Sequence, residues 1–248
     1  MLEANVTSDE AKQQIIANLL EEMPTDSAVE LDLPSECRVY DLPNPGSPIT
    51  MRPMTFEDEK ILVTSKKGTD PTNIILDRCC ENIKVNDLLP MDKLYMLLKL
   101  REISYGDEYD SVLICPHCSG ENPASIKLSE LNVNPVPDDF KDPIEVKLPG
   151  INKTIKVRYP RVKDDPIFQD PENIFTQLWR FVVEIEGYTD KSIIAPVLEK
   201  LPLRDSKTIL AAMRTEYGVE TKVKVSCTHC KEVSVIDLPI DANFFDVN

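Results

Sequence analysis

The chain has 248 residues, of which 43 are acidic and 28 basic, giving a net charge of −15. That balance argues against a nucleic-acid footprint, which needs a basic face to neutralise phosphates, and against an anionic membrane surface; only a local basic patch stays open. No apolar run approaches the ~18 residues of a membrane span, and Met1-Leu2-Glu3-Ala4 does not open a signal peptide, so a soluble cytosolic chain is expected.

Residues 1–35 read as an N-terminal helix and an acidic arm. Thr7-Ser8-Asp9-Glu10 resembles a capping box, and Ile15, Ile16, Leu19, Leu20 and Met23 form a helical stripe. The stripe is expected to pack on the chain's own core; the alternative is a helix on an appended arm that docks on a partner. Pro24 to Pro34 is acidic and expected to be extended. A hairpin turn follows at Leu42-Pro43-Asn44-Pro45-Gly46, then a strand pattern at Ile49-Thr50-Met51-Arg52. Thr55, with Glu57-Asp58-Glu59 behind it, predicts a helix N-cap. Ile74, Ile75, Leu76, Cys79 and Ile83 keep helical spacing, which makes Cys79 and Cys80 core side chains. Asp92, after Pro90, reads as a second N-cap, and Leu94, Leu97, Leu98 and Arg101 carry that helix to Tyr105-Gly106. A strand at Ser111-Val112-Leu113-Ile114 then leads into Cys115-Pro116-His117-Cys118.

The same signals then recur in the same order. Leu148-Pro149-Gly150 predicts a turn and Ile155-Lys156-Val157-Arg158 a strand. Residues 158–165 resemble residues 52–59, and Asp164-Asp165 stand where acids complement a helix dipole. The stretch from Asn173 to Glu186, with Trp179 and Phe181, is the most apolar helix candidate and is expected at the centre of the fold. Another helix is expected near residues 191–200. Leu201-Pro202-Leu203-Arg204-Asp205 leads through Ile209, Leu210 and Met213 to Tyr217-Gly218, a strand at residues 221–225, and Cys227-Thr228-His229-Cys230. Tyr105 to Cys115 and Tyr217 to Cys227 are both ten residues. This recurrence predicts an internal duplication over about 36–131 and about 143–239. The expected fold class is α+β. Residues 36–142 form repeat 1 and residues 143–248 repeat 2, each a β-hairpin, helices, and a second β-hairpin with a CxxC knuckle at its turn. The two are joined pseudo-symmetrically at a zinc-ribbon-like site. Glycine is scarce, with 7, and proline abundant, with 20, so connections are stiffened by proline and nothing reads as a flexible linker.

Seven cysteines in a chain with no export signal are expected to be reduced. One CxxC supplies half a tetrahedral site and two supply a whole one, so Cys115, Cys118, Cys227 and Cys230 are the candidate ligands of one structural Zn2+. Sulfurs from the two knuckles should then lie about 3.5–4 Å apart. His117 and His229 occupy a position that points away from the metal and read as exposed turn residues. Gly120 is expected to take the positive φ that aims backbone N–H groups at the sulfurs. The second knuckle lacks that glycine and should be less regular, with Lys231 offsetting part of the charge. A redox dithiol is the first alternative, although such motifs normally open a helix after a strand. Two knuckles without metal are the second, and pairing of each knuckle with its equivalent in another subunit is a third geometry. A closed four-thiolate site leaves no position for water or substrate. With two histidines, no phosphate-binding loop and no nucleophile motif, the chain does not read as an enzyme.

Residues 52–60 (Arg-Pro-Met-Thr-Phe-Glu-Asp-Glu-Lys), the helix running into Leu100-Arg101-Glu102-Ile103-Ser104-Tyr105-Gly106, and Cys115-Pro-His-Cys118 resemble the baseplate hub and hub-assembly proteins of T4-type contractile-tailed bacteriophages. The resemblance covers roughly residues 45–240. It implies a structural or assembly role in the hub of a virus tail baseplate, with other hub or tail proteins as partners. It implies the host cytoplasm during assembly, and the virion, as locations. It supplies no catalytic residues. A zinc-ribbon binding module in transcription or RNA handling is the alternative; it would need a basic stripe, whereas Glu121, Glu232 and Asp237 lie near the knuckles.

Overall fold

The computed structural model describes residues 9–21, 28–64, 70–240 and 242–245. Thr7, Ser8 and Met23 of the expected N-terminal cap and stripe lie outside these. The architecture is mixed α+β, with sheets of two or three short antiparallel strands and helices packed beside them.

The first three-stranded sheet joins Val29–Glu30, Thr50–Met51 and Cys80–Glu81, with Met51 opposite both Val29 and Cys80. Pro48 and Pro53 flank its central strand, and proline cannot donate to a ladder, which keeps the strand short. Thr55 then caps the helix Phe56–Thr64. Its backbone N–H donates to Asp58 Oδ2 at 2.9 Å while the Asp58 N–H reaches Thr55 Oγ1 at 3.4 Å. Helix Pro71–Cys79 starts with Asp70 accepting from the Thr72 N–H, and proline sits at its first position. The long helix Pro90–Tyr105 also begins on proline. It ends at Gly106, whose φ of 102° a residue with a Cβ rarely adopts. Met96, Leu98 and Leu100 of this helix pack with Met51, Ile75, Leu76 and Leu88 in the first core. Asp92 is not that helix's cap, as expected, but its third residue; it is buried and accepts the Ser35 N–H at 3.1 Å.

The second three-stranded sheet joins Ile144–Leu148, Lys153–Val157 and Val182–Ile185. Val146, Leu148, Ile155, Val157 and Val182 pack with Phe181, Ile194, Ile209 and Met213 in a second core. Residues 173–186 do not form one helix. Helix Pro171–Gln177 gives way to a 3-10 turn Leu178–Arg180 and then to strand Val182–Ile185. β-branched Val182, Val183 and Ile185 favour a strand, and Lys156 pairs across it with Glu184 at 2.9 Å. Leu178, Phe181 and Val182 do lie at the centre of this core, while Phe175 is exposed. The expected helix near 191–200 is present as Lys191–Glu199, capped by Asp190.

One arrangement recurs in both halves. Arg52 follows the central strand of the first sheet, donates to Asp58 at 2.7 Å and to its neighbour's carbonyl at 2.9 Å, and its N–H bonds Cys79 O. Arg158 does the same with Asp164 at 2.6 Å, with Tyr159 O at 3.2 Å, and with Phe181 O. Asp92 and Asp205, each at the start of a later helix, are both fully buried and accept backbone N–H groups from the loop before the sheet's central strand.

Between the two cores lies a third cluster of Leu89, Met91, Val136, Phe140 and Tyr159, in which Phe140 stacks on Tyr159 at 5.1 Å. Gly218, at φ 99°, sits so close to Met91 that an added Cβ would lie 2.8 Å from Met91 Cβ. The chain's end returns to the first core. Phe244 and Phe245 are buried there, and Arg101 donates to Phe244 O at 2.7 Å. At the other end, helix Asp9–Glu21 leaves Ile15, Ile16 and Leu19 exposed, so this part of the stripe does not pack on the chain's own core.

Candidate metal centre

Two antiparallel hairpins build the site. The first pairs Glu108–Ile114 with Glu121–Lys127, and the second pairs Lys222–Ser226 with Val233–Asp237. Each ends in a CxxC turn closed by the same two hydrogen bonds. Cys115 N–H donates to Gly120 O at 3.0 Å and Ser119 N–H to Cys115 O at 2.9 Å; in the second, Cys227 N–H donates to Glu232 O at 2.9 Å and Lys231 N–H to Cys227 O at 3.1 Å. The positive φ falls on Ser119 (56°) and on Lys231 (65°), one residue before the expected position at Gly120. The second knuckle is therefore as regular as the first. Gly120 is required for a different reason. A Cβ there would lie 2.6 Å from His229 Cδ2 and 3.2 Å from Cys118 Sγ, so the ring of the second knuckle occupies its place. His229 also reaches Glu121 O through Nε2 at 3.1 Å. Neither histidine belongs to the ligand cluster.

The fold brings together all four expected ligands. Cys115 Sγ lies 3.7 Å from Cys230 Sγ, Cys118 Sγ lies 3.6 Å from Cys227 Sγ, and all four sulfurs fall within 4.8 Å of one another. The thiols alternate across the two hairpins, so an ion at their centre would be bound by both halves of the chain. The donor chemistry fits a soft or borderline tetrahedral ion, because Zn–S bonds of about 2.3 Å give sulfur–sulfur edges near 3.75 Å. Backbone N–H groups stabilise the anionic form of the Cys227 sulfur. The Cys227 thiol is drawn down to about 6, first by the Cys230 N–H; burial opposes this, and the His229 N–H, the Cys118 thiol and the Asn122 side-chain amide add to the lowering.

Asn122 is the functional residue that motif reading misses. It is buried on the first hairpin, and its Nδ2 donates to Gly120 O at 3.0 Å and faces Cys227 Sγ at 3.7 Å. Its Oδ1 accepts the Thr228 N–H at 2.8 Å. One side chain thus fastens its own turn to the opposite knuckle. The available signal was an asparagine inside a strand, a residue type that strands disfavour.

The remaining candidates carry structure. Asp58 is fully buried between Arg52 and Arg78, at 2.7 Å from each, and Asp164 bonds Arg158; these acids form ion pairs at helix starts. Burial would push the Asp58 carboxyl up, but the two guanidiniums and Thr55 outweigh it and hold it well below the usual carboxylate range. Cys79 and Cys80 are buried, and burial raises their thiols to about 11 and about 12, which leaves them protonated and unreactive.

Fold and site together define a mixed α+β scaffold in which two hairpins share one four-cysteine clamp able to hold a metal ion. The chain matches the family described as T4 bacteriophage base plate protein over residues 34–246, and belongs to it. It is a phage baseplate structural protein, a component of the virion tail that works in contact with other phage tail proteins. No curated protein and no solved structure matches it. Among the described residues, no helix is long and apolar enough to cross a membrane.

Proposed function

We propose that this chain serves in the baseplate hub as a non-enzymatic structural or assembly part, acting through contacts with other hub and tail proteins. One structural zinc ion is held within each chain by Cys115, Cys118, Cys227 and Cys230. The observation that carries this reading is the interleaving of the thiols, 3.6 and 3.7 Å apart across two hairpins more than a hundred residues apart in sequence, which favours one ion per chain over pairing between subunits. A closed set of four thiolates supplies folding free energy and no open coordination position. We further propose that residues 36–142 and 143–248 descend from one duplicated unit related by a pseudo-twofold axis, with the strand Val29–Glu30 completing the sheet of the first. The paired Arg52–Asp58 and Arg158–Asp164 bonds, the matching knuckle turns, and the glycines at φ 102° and 99° support this. The protein would act in the host cytoplasm during assembly. Native mass spectrometry with elemental analysis tests the metal: one zinc per monomer is expected, and a metal-free folded monomer or a zinc-bridged dimer rejects it. Co-expression with the hub proteins of the same phage tests the role, and failure to co-purify with any of them rejects the hub.

A further inference from the structure

Each knuckle hairpin buries one face and leaves the other in solvent. On the first, Tyr109, Leu113 and Asn122 turn inward, while Val112 (49% exposed), Ile114 (51%) and Pro123 stand outward. On the second, Val233 (56%) and Val235 (61%) stand outward. Both outer faces therefore carry an apolar centre beside a cysteine turn: Val112 pairs with Pro123 on the first, and Val235 lies opposite Lys224 on the second. The charges that frame these centres differ in sign. The first face carries Glu108, Asp110 and Glu121 against Lys127, and the second carries Lys222 and Lys224 against Asp237. Strand propensity accounts for β-branched residues on both ribbons, but not for the separation of charge between them.

We propose that these two faces fit each other in different copies of the chain, so that the first hairpin of one molecule receives the second hairpin of the next, head to tail. Valine side chains of the basic face pack on Val112, Ile114 and Pro123, and Lys222 and Lys224 meet Asp110 and Glu108. Because two different patches meet, the contact is heterologous and leads to a ring or an open chain, according to the rotation it imposes. Each patch is a single two-stranded ribbon, well under the roughly 800 Å² per partner of a standard interface, so association is weak and grows with concentration. The inference rests on the hairpin faces and is independent of which tail proteins the chain meets.

Sedimentation equilibrium of the full chain, purified with zinc, tests it together with two variants. One is Asp110→Lys/Val112→Lys, which blocks the first face; the other is Lys224→Glu/Val235→Glu, which blocks the second. The wild type should exceed dimer mass as concentration rises toward about 1 mM, each variant alone should be monomeric, and their equimolar mixture should associate. A monomeric wild type at that concentration overturns the proposal, as does self-association of either variant at wild-type strength. So does a mixture that stays monomeric while both variants keep the wild-type metal content and melting transition. If the charged variants do not fold, Val112→Thr and Val235→Thr, which preserve shape and strand preference, should each weaken association by about tenfold; unchanged association overturns the proposal.

Discussion

At the scale of single residues, two positions owe their identity to contacts that cross the chain. Gly120 makes room for the His229 ring, so Gly120→Ala forces a Cβ to 2.6 Å from His229 Cδ2. A urea melt should show a loss of about 1–3 kcal/mol, and a second change, His229→Ala, should restore most of it. Asp58 is the other case. Its folded carboxyl is held low by Arg52, Arg78 and Thr55 against burial, so its contribution is present above the unfolded value near 4 and is lost as pH falls toward the folded one. Both guanidiniums are more than a third exposed, so Asp58→Ala at neutral pH should cost about 2–3 kcal/mol, below the cost of breaking a fully buried pair. The variant should also lose less stability than the wild type between pH 4 and acid, read from denaturant midpoints. Asp92 acts in the opposite sense: burial raises its carboxyl, so it favours folding at low pH and subtracts from stability once ionised. Tyr40, which donates to it, shares that buried pocket.

At the scale of elements, the two knuckle hairpins were legible and the way they fasten to each other was not; the hairpin turn expected at residues 42–46 lies instead within the long connection from Val29–Glu30 to Thr50–Met51. Alternation and β-branched content mark the strands at 111–114 and 221–225, and both lie in ladders. Helical spacing of Ile74, Ile75, Leu76 and Cys79, and of Leu94, Leu97, Leu98 and Arg101, marks Pro71–Cys79 and Pro90–Tyr105. Residues 173–186 misled because Phe181, Val182 and Ile185 are apolar at a spacing compatible with a helix, and only the partner strand Lys153–Val157 chooses the extended form. Asn122 belongs to this scale because it ties one hairpin to the other through Thr228 and Cys227. Asn122→Ala leaves the Thr228 N–H without its acceptor and should cost about 1–3 kcal/mol in a chemical melt. The same variant should speed zinc loss to a chromogenic chelator, whereas a purely local packing residue would leave that rate unchanged.

At the scale of the whole molecule, a metal held by the four cysteines is expected to couple the two halves into one cooperative unit. Cys118 lies on the first hairpin, yet its sulfur sits 3.6 Å from Cys227 of the second. Cys118→Ser should therefore lower the midpoint of both halves together. Trp179, the one tryptophan and a member of the second core, reports that half by fluorescence, and amide exchange along Pro90–Tyr105 reports the first. Loosening of the first half alone would contradict a shared site. Other links across the molecule reinforce the coupling: Val162 N–H bonds Leu88 O, Gly218 pairs with Asn134, and Phe244 closes the first core from the far end of the chain. None of these was legible, since each joins residues whose spacing in sequence carries no period.

What the sequence by itself determined was local: the two CxxC turns, the strands that lead into them, the helix start at Thr55 and the net acidity. Each depends on neighbours within a few residues, where chain geometry leaves few choices. Tertiary structure alone decided that the four sulfurs meet, that His229 fills the space at Gly120, that Asn122 bridges the turns, and that residues 182–185 become a strand. Those outcomes depend on which surfaces the closed chain brings within contact distance, and burial and hydrogen bonding across long sequence separations select them.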